Sequence, residues 1–430
     1  LHHRKRCNAL RLLHPTHNQR IVKMPPRLQK FLLGYSGTSL ATGLQVILLP
    51  WIAVAVVGLP ALHLGWVQAS VLLPNLAFLL IAGALADRRD SAAVAALACL
   101  GLAFCHSGLM LYFSYRIPNL FLLLLYGVSL GVCTAFLQPA RDNLVQRCAR
   151  DRQGQTSESR VQKTVTWMML AQYGGQAVGM LLASRFDHWG AQLLLGIQVA
   201  VLSVAALFLL SLREKGPRAP ADEKLPHTQI LEGLAQTWRR PALRELIALM
   251  AFNGFVHIGV FLVVLPLLAS LYSGTGGRGA SYYATLQLAF VAGTVAATVT
   301  MLRRGQGERP GRGILMCLLY SAALLVAISF GPTPLGLILL CACWGAVAAA
   351  AAALGRAIVQ LFAPAEYRSR IISIYQLALF GSAALGALVA GALSEYAAPL
   401  TTLLWAGILS LLAFVLVFWS GALREVRVQH

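Results

Sequence analysis

Charge is what this sequence has least of. Asp, Glu, Lys and Arg together make up 12% of 430 residues, against 58% hydrophobic residues. A soluble domain carries about 25% charged residues, so an ordinary water-facing globular surface is excluded; the mean hydropathy of +0.68 says the same. Catalytic signatures are absent as well. No His-Glu-x-x-His, Gly-x-Ser-x-Gly or phosphate-binding loop occurs, and no carboxylate pair sits inside an apolar run. That removes the common hydrolase readings and direct ATP use within the chain, and the expectation is a protein that is not an enzyme. Eight cysteines show no metal-ligand spacing and mostly fall in apolar runs, where a thiol acts as small filler. Neither a metal nor a cofactor is expected.

What the chain has instead is long charge-free runs. An apolar helix crosses a bilayer in about 20 residues, so gaps between charges count crossings. Residues 31–86 hold two spans divided at Gly58-Leu59-Pro60, and single spans follow at 91–115, 117–140, 164–184 and 188–212. Residues 213–245 are rich in charge and proline, a linker composition with room for a short surface helix near Leu231 to Trp238. Charge-free runs resume at 246–277, 279–302, 313–355 (split at "GPTP", 331–334), 371–394 and 396–423. The expected architecture is an all-α membrane protein of twelve transmembrane helices in two six-helix halves. A tail (1–27), an N-terminal bundle (28–212), a linker (213–245), a C-terminal bundle (246–423) and a short tail (424–430) divide the chain.

The formal net charge of +20 reads as membrane topology rather than nucleic-acid binding. With the amino terminus cytoplasmic, only Arg116, Arg185 and Arg278 of the 35 Lys and Arg fall on the far side. This positive-inside bias places both termini and the linker in the cytoplasm and makes membrane lipids the surrounding partner. Residues before about 25 are expected to lack order. They read as a targeting peptide, a basic surface segment or, the favoured reading, sequence upstream of a natural start at Met24.

The halves also repeat. "YGGQAVGMLLA" from Tyr173 and "FGSAALGALVA" from Phe380 share the pattern aromatic-Gly-x-x-Ala-aliphatic-Gly-x-Leu-x-Ala, each in the fifth helix of its half. Gly175 and Gly179 lie four apart on one helical face, as do Gly386 and Ala390, and small residues there allow close backbone approach. Static packing and a sliding surface are both open readings.

"GALADRRD" (83–90) ends the second span. Through Gly83, Leu85, Ala86, Asp87 and Arg88 it resembles the signature loop of the major facilitator superfamily, departing from it at Asp90, Ser91 and Ala92. "FLQPARDNLVQR" (136–147) and "EYRSRIISIYQLALFGSAALGALVAGALSEYAAP" (366–399) resemble the efflux branch that includes enterobactin exporters and multidrug permeases. Gln176 and Met180 stand where the antiporter signature of the fifth helix has proline and its second glycine. The resemblance implies the major facilitator fold and a conformational gate of Gly83, Asp87, Arg88, Arg141 and Asp142. Asp87 would latch onto the amino-terminal end of the eleventh helix or onto Arg141, and Arg88 would face Asp142. For Arg89 and Asp90, solvation and anchoring at a helix end suffice.

A carrier of this design binds its substrate near mid-membrane. No Asp, Glu, Lys or Arg lies near the centre of any expected span, so a cavity without fixed charge, suited to an amphiphilic or neutral solute, is expected. Gln45, Tyr173, Asn253 and His257 are the substrate-site candidates. Asn253 and His257 share a face of the seventh helix, with core packing and cavity lining both open. His106, on a helix usually peripheral in the superfamily, ranks lower. The resemblance implies a monomeric secondary transporter of a bacterial inner membrane, working by alternating access and exporting siderophore- or drug-like small molecules. Protons are the candidate coupling ion, through His257. Uptake or flipping of a sugar-like or lipid-like solute, and a non-transporting sensor of the same fold, are the alternatives.

Overall fold

The computed structural model describes residues 25–149, 158–213, 232, 234–273, 279–304, 309–364 and 367–425. Twelve long helices run through the described residues. The first half holds α1 (Pro26–Trp51, extended by a π turn Ile52–Val56), α2 (Ala61–Arg88), α3 (Ser91–Phe113), α4 (Leu120–Ala149), α5 (Glu158–Ala183) and α6 (Phe186–Leu210). In the second half α7 is built from Pro241–Asn253, a π turn Gly254–Ile258 and Gly259–Ser273. It is followed by α8 (Gly279–Arg304), α9 (Pro310–Ser329), α10 (Pro334–Phe362), α11 (Arg368–Ala397) and α12 (Pro399–Ser420).

Local chemistry sets the helix starts. α1, α7, α9, α10 and α12 each begin on proline, whose fixed φ and missing N–H suit the first helical position. Asp90 starts α3 as its N-cap, its side chain accepting from Ala92 N at 3.1 Å. The break expected at "GPTP" is there, with Gly331 at φ 66° turning the chain between α9 and α10. Residues 234–238 of the linker are helical, as the surface-helix reading expected.

Eleven of these helical segments are long and apolar enough to cross a membrane. α5 is the exception among the twelve: Glu158, Arg160 and Lys163 open it, and Gln162, Gln172 and Gln176 dilute the rest. It lies against α1 all the same. Large side chains such as Phe104 and Leu302 are about four-fifths exposed, which water would not tolerate but lipid does. Exposed Tyr115 and Tyr396 at one end of the bundle and Trp419 at the other mark the two interfacial belts.

Helix pairing repeats between the halves. α1 packs with α5, α2 with α4 and α3 with α6; correspondingly α7 packs with α11, α8 with α10 and α9 with α12. At the α1–α5 seam a Cβ on Gly179 would overlap the Leu40 carbonyl oxygen, and one on Gly175 would crowd that of Ser36. At the α7–α11 seam a Cβ on Gly386 would overlap the carbonyl oxygen of Phe255, inside the π turn. The repeated glycine pattern therefore marks two equivalent seams where backbones touch.

Candidate functional site

A cavity of about 310 Å³ lies inside the first half, walled by α1, α2, α3, α4 and α6 and closed from the second half by Leu262 of α7. That volume is at the low end of the roughly 300–1,000 Å³ of small-molecule sites. A larger hollow beside Val178, Leu182 and Trp189 is an open groove on the bundle's surface with little polar wall. The cavity of the first half is apolar along Val46, Leu49, Leu72, Leu130 and Leu202. Amides of Gln45, Gln68, Asn75 and Gln138, and hydroxyls of Thr42 and Thr134, interrupt that wall.

The polar groups form a network because isolated ones would be costly to bury. His106 Nδ1 and the Tyr126 hydroxyl lie 2.7 Å apart, and Tyr126 donates to Gln45 Oε1 at 3.0 Å. Gln198 Nε2 reaches the same Oε1 at 3.2 Å and the Ala41 carbonyl at 3.1 Å. Gln45 Nε2 and Gln198 Oε1 are buried without a partner, leaving one donor and one acceptor unsatisfied at this wall. At the cavity's rear Gln68 Nε2 donates to Leu262 O at 2.8 Å.

Arg141 corrects the expectation of a cavity without fixed charge, because it is one of the lining residues. Its Nη1 donates to Thr38 Oγ1 at 2.9 Å, and the guanidinium stands 4.8 Å over the Tyr35 ring. The Thr38 hydroxyl spends its own proton on the Tyr35 carbonyl at 2.9 Å, so only its lone pair faces the arginine. α4 runs on to Ala149, past the charge-free interval that ends at residue 140, so Arg141 lies within the helix rather than at its end.

Of the other sequence candidates, Gln45 sits in the cavity wall, whereas Tyr173 and Asn253 are half-buried and are not among its lining residues. His257 is 5% exposed, with Nε2 3.1 Å from Ser410 Oγ of α12, so it packs α7 on α12 away from the cavity. His106, ranked below it from the sequence, is the histidine in the wall. Sequence reasoning also passed over Gln68, Asn75, Tyr126 and Gln198. Each is a single polar group in an apolar run, the signal that singled out Gln45.

Among the gate candidates, Gly83 has open space about it and Asp142 is exposed near the charges of Arg141 and Arg356. The side chains of Asp87 and Arg88, in the last turn of α2, lie outside the described residues. Asp90 does more than anchor a helix end. It is 5% exposed, caps α3, and lies 3.6 Å from both Arg147 of α4 and Arg213 after α6.

On the side away from the termini hydrogen bonds tie the halves together: Gln68 to Leu262 O, Tyr283 OH to Val46 O at 3.3 Å, and Leu62 N to Glu395 Oε2 at 3.5 Å. Trp51 stacks on Tyr283 with centroids 6.2 Å apart. Asp187, at the start of α6, accepts from the backbone of Ala280 and Ser281 at the start of α8. The cavity is thus sealed toward that face.

Twelve helices among the described residues, in two halves with the same pairing scheme around a largely apolar cavity, meet their counterpart in sequence: the family model of the Major Facilitator Superfamily matches residues 31–380. The chain belongs to that superfamily. It is accordingly a multi-pass membrane transporter. No curated protein matches it in sequence. Among solved structures it is similar to the nucleoside transporter NupG, with TM-score 0.71, 13% identity, and coverage of 93% of this chain and 99% of that one. It is similar to an auto-inhibited POT family peptide transporter (TM-score 0.71, 14% identity, 94% and 98% covered). A bacterial homologue of the human lysosomal transporter Spinster, inward-facing and unoccupied, gives TM-score 0.65 at 15% identity over 93% and 96% of the chains. Likeness at such identity concerns the superfamily fold.

Proposed function

We propose that this superfamily member is a secondary carrier that moves amphiphilic small molecules, siderophore- or drug-like, out across a bacterial inner membrane by alternating access. The observation that carries the substrate class is the cavity of the first half, apolar over most of its wall with a few amides and hydroxyls. Such a wall suits a solute that is largely apolar with hydrogen-bonding groups, and suits a small inorganic ion poorly. The outward direction is supported by the likeness of "FLQPARDNLVQR" to the efflux branch, and the cytoplasmic placing of both termini by the excess of Lys and Arg on that side.

Alternating access needs the halves to close at one face at a time. The cross-half bonds at the face opposite the termini are the kind of contact that must break in the other state. Where a proton gradient drives transport, His106 is the histidine through which it acts, since it lines the cavity and His257 does not.

Purified protein in proteoliposomes, screened over siderophores, dyes and antibiotics, tests the reading. A carrier accumulates its solute against a gradient; saturation at one solute per chain without accumulation would make the molecule a sensor and sink the proposal. Unchanged flux when the pH gradient is collapsed would remove the proton from the scheme.

A further inference from the structure

Arg141 is a permanent cation inside the membrane-spanning bundle with little to answer it. A guanidinium offers five N–H donors. One is held by the neutral Thr38 hydroxyl at 2.9 Å, and Nε is buried with no partner. Among the described residues no carboxylate lies within ion-pair distance of it, whereas Asp90 draws both Arg147 and Arg213. No Asp or Glu lines the cavity. The guanidinium carbon lies 4.8 Å from the centre of the Tyr35 ring, and Tyr35 is itself tied to Gln172 Oε1 at 3.1 Å. A planar fork of donors short of acceptors is the arrangement that receives a carboxylate, sulfonate or phosphate in two parallel bonds.

We infer that the cavity binds amphiphiles carrying one anionic head, with the head on Arg141 at the end of the cavity near the termini and the apolar body along Leu130, Val71 and Leu202. The inference rests on the cavity being the transport site and adds the sign of the substrate's charge. It also gives the cation a counter-ion that the protein withholds, so that the loaded cavity is closer to neutral than the empty one. Crossing a membrane with the charge paired is cheaper than with it bare. Neutral solutes of the same shape would leave the arginine unanswered and bind more weakly.

The test uses the full chain purified in detergent and isosteric pairs of probes, 2-naphthoate with 2-naphthamide and decanoate with decanamide, titrated calorimetrically. At least one acid is expected to bind about tenfold or more tightly than its amide, as a charge-assisted bidentate contact should. Arg141→Gln should erase that gap, so that acid and amide bind alike, and Arg141→Lys should restore part of it. Gel filtration confirms that each variant is folded. Equal binding of acid and amide, a gap that survives Arg141→Gln, or no binding of either acid overturns the inference. A different result identifies failure of the underlying reading: binding of acids and amides alike that is untouched when Val71→Phe narrows the cavity.

Discussion

In the first half, Gly131 of α4 lies so close to the Val71 carbonyl of α2 that no Cβ would fit between them; in the second, Gly345 of α10 meets the Phe290 carbonyl of α8 in the same way. The two contacts are counterparts, so Leu130 corresponds to Trp344 and Val71 to Phe290. Leu130 and Val71 line the cavity. Their counterparts close the space: Phe261 and Phe290 have centroids 4.6 Å apart, and the Phe261 ring meets Trp344 edge-on at 5.3 Å. Two halves with one pairing scheme have therefore divided the labour. Aliphatic side chains leave the first half hollow, while an aromatic cluster fills the corresponding place in the second half.

The comparison breaks first at its common element. Because the seams are equivalent, Gly179→Leu and Gly386→Leu should be equally damaging, each forcing a side chain into a backbone carbonyl. The expected outcome is near-complete loss of folded protein for both, read as the monodisperse peak in gel filtration. A normal yield from either would show that its seam is looser than its partner.

Next in size is the hollow itself. Giving the first half the side chains of the second, Val71→Phe with Leu130→Trp, should leave insertion intact and lower flux at least about tenfold by filling the site. Wild-type flux from a folded double variant would mean that solute passes elsewhere. The reverse change, Trp344→Ala, should cost stability rather than function, about 3–5 kcal/mol by analogy with buried aromatic truncations. A lowered unfolding temperature with the substrate preference unchanged is the expected pair of readings.

Much of this organisation was legible in the sequence, because ionised side chains are kept out of hydrocarbon and their gaps mark the spans. The break at Gly331, the pairing of "YGGQAVGMLLA" with "FGSAALGALVA", and Gln45 in the cavity wall all follow from residue pattern alone. Arg141 did not. Its position after a charge-free interval suggests a rim, and only the two further turns of α4 with the Thr38 and Tyr35 contacts show it facing inward. His257 misled for the opposite reason: a histidine in an apolar helix looks the same in sequence whether it faces a cavity or a Ser410 on a neighbouring helix. Nor does pattern announce the π turn at Gly254–Ile258, which arises where α7 crowds the α11 backbone at Leu379 and Gly386.

The smallest effect concerns the face where the halves close. Asp187 leaves the first half to cap the start of α8, and Glu395 leaves the second to reach the start of α2, so each half lends one carboxylate to a helix amino terminus of the other. Asp187 opens α6 and Glu395 lies in the last turn of α11, so each stands beside the turn between the fifth and sixth helices of its half. Exposed carboxylates at helix amino termini are worth about 0.3–1 kcal/mol each, so the two together bias closure by about 1 kcal/mol, or about fivefold in the ratio of states. Asp187→Asn with Glu395→Gln keeps the hydrogen-bond acceptors and removes the charges. In a Thr42→Cys background, whose cysteine lines the cavity, an impermeant thiol reagent added on the side opposite the termini should react a few times faster than in the same background with both carboxylates present. An unchanged rate would mean that Trp51 on Tyr283 and the bond from Gln68 to Leu262 hold that face shut by themselves. In that case the two carboxylates would be caps for helices and nothing more.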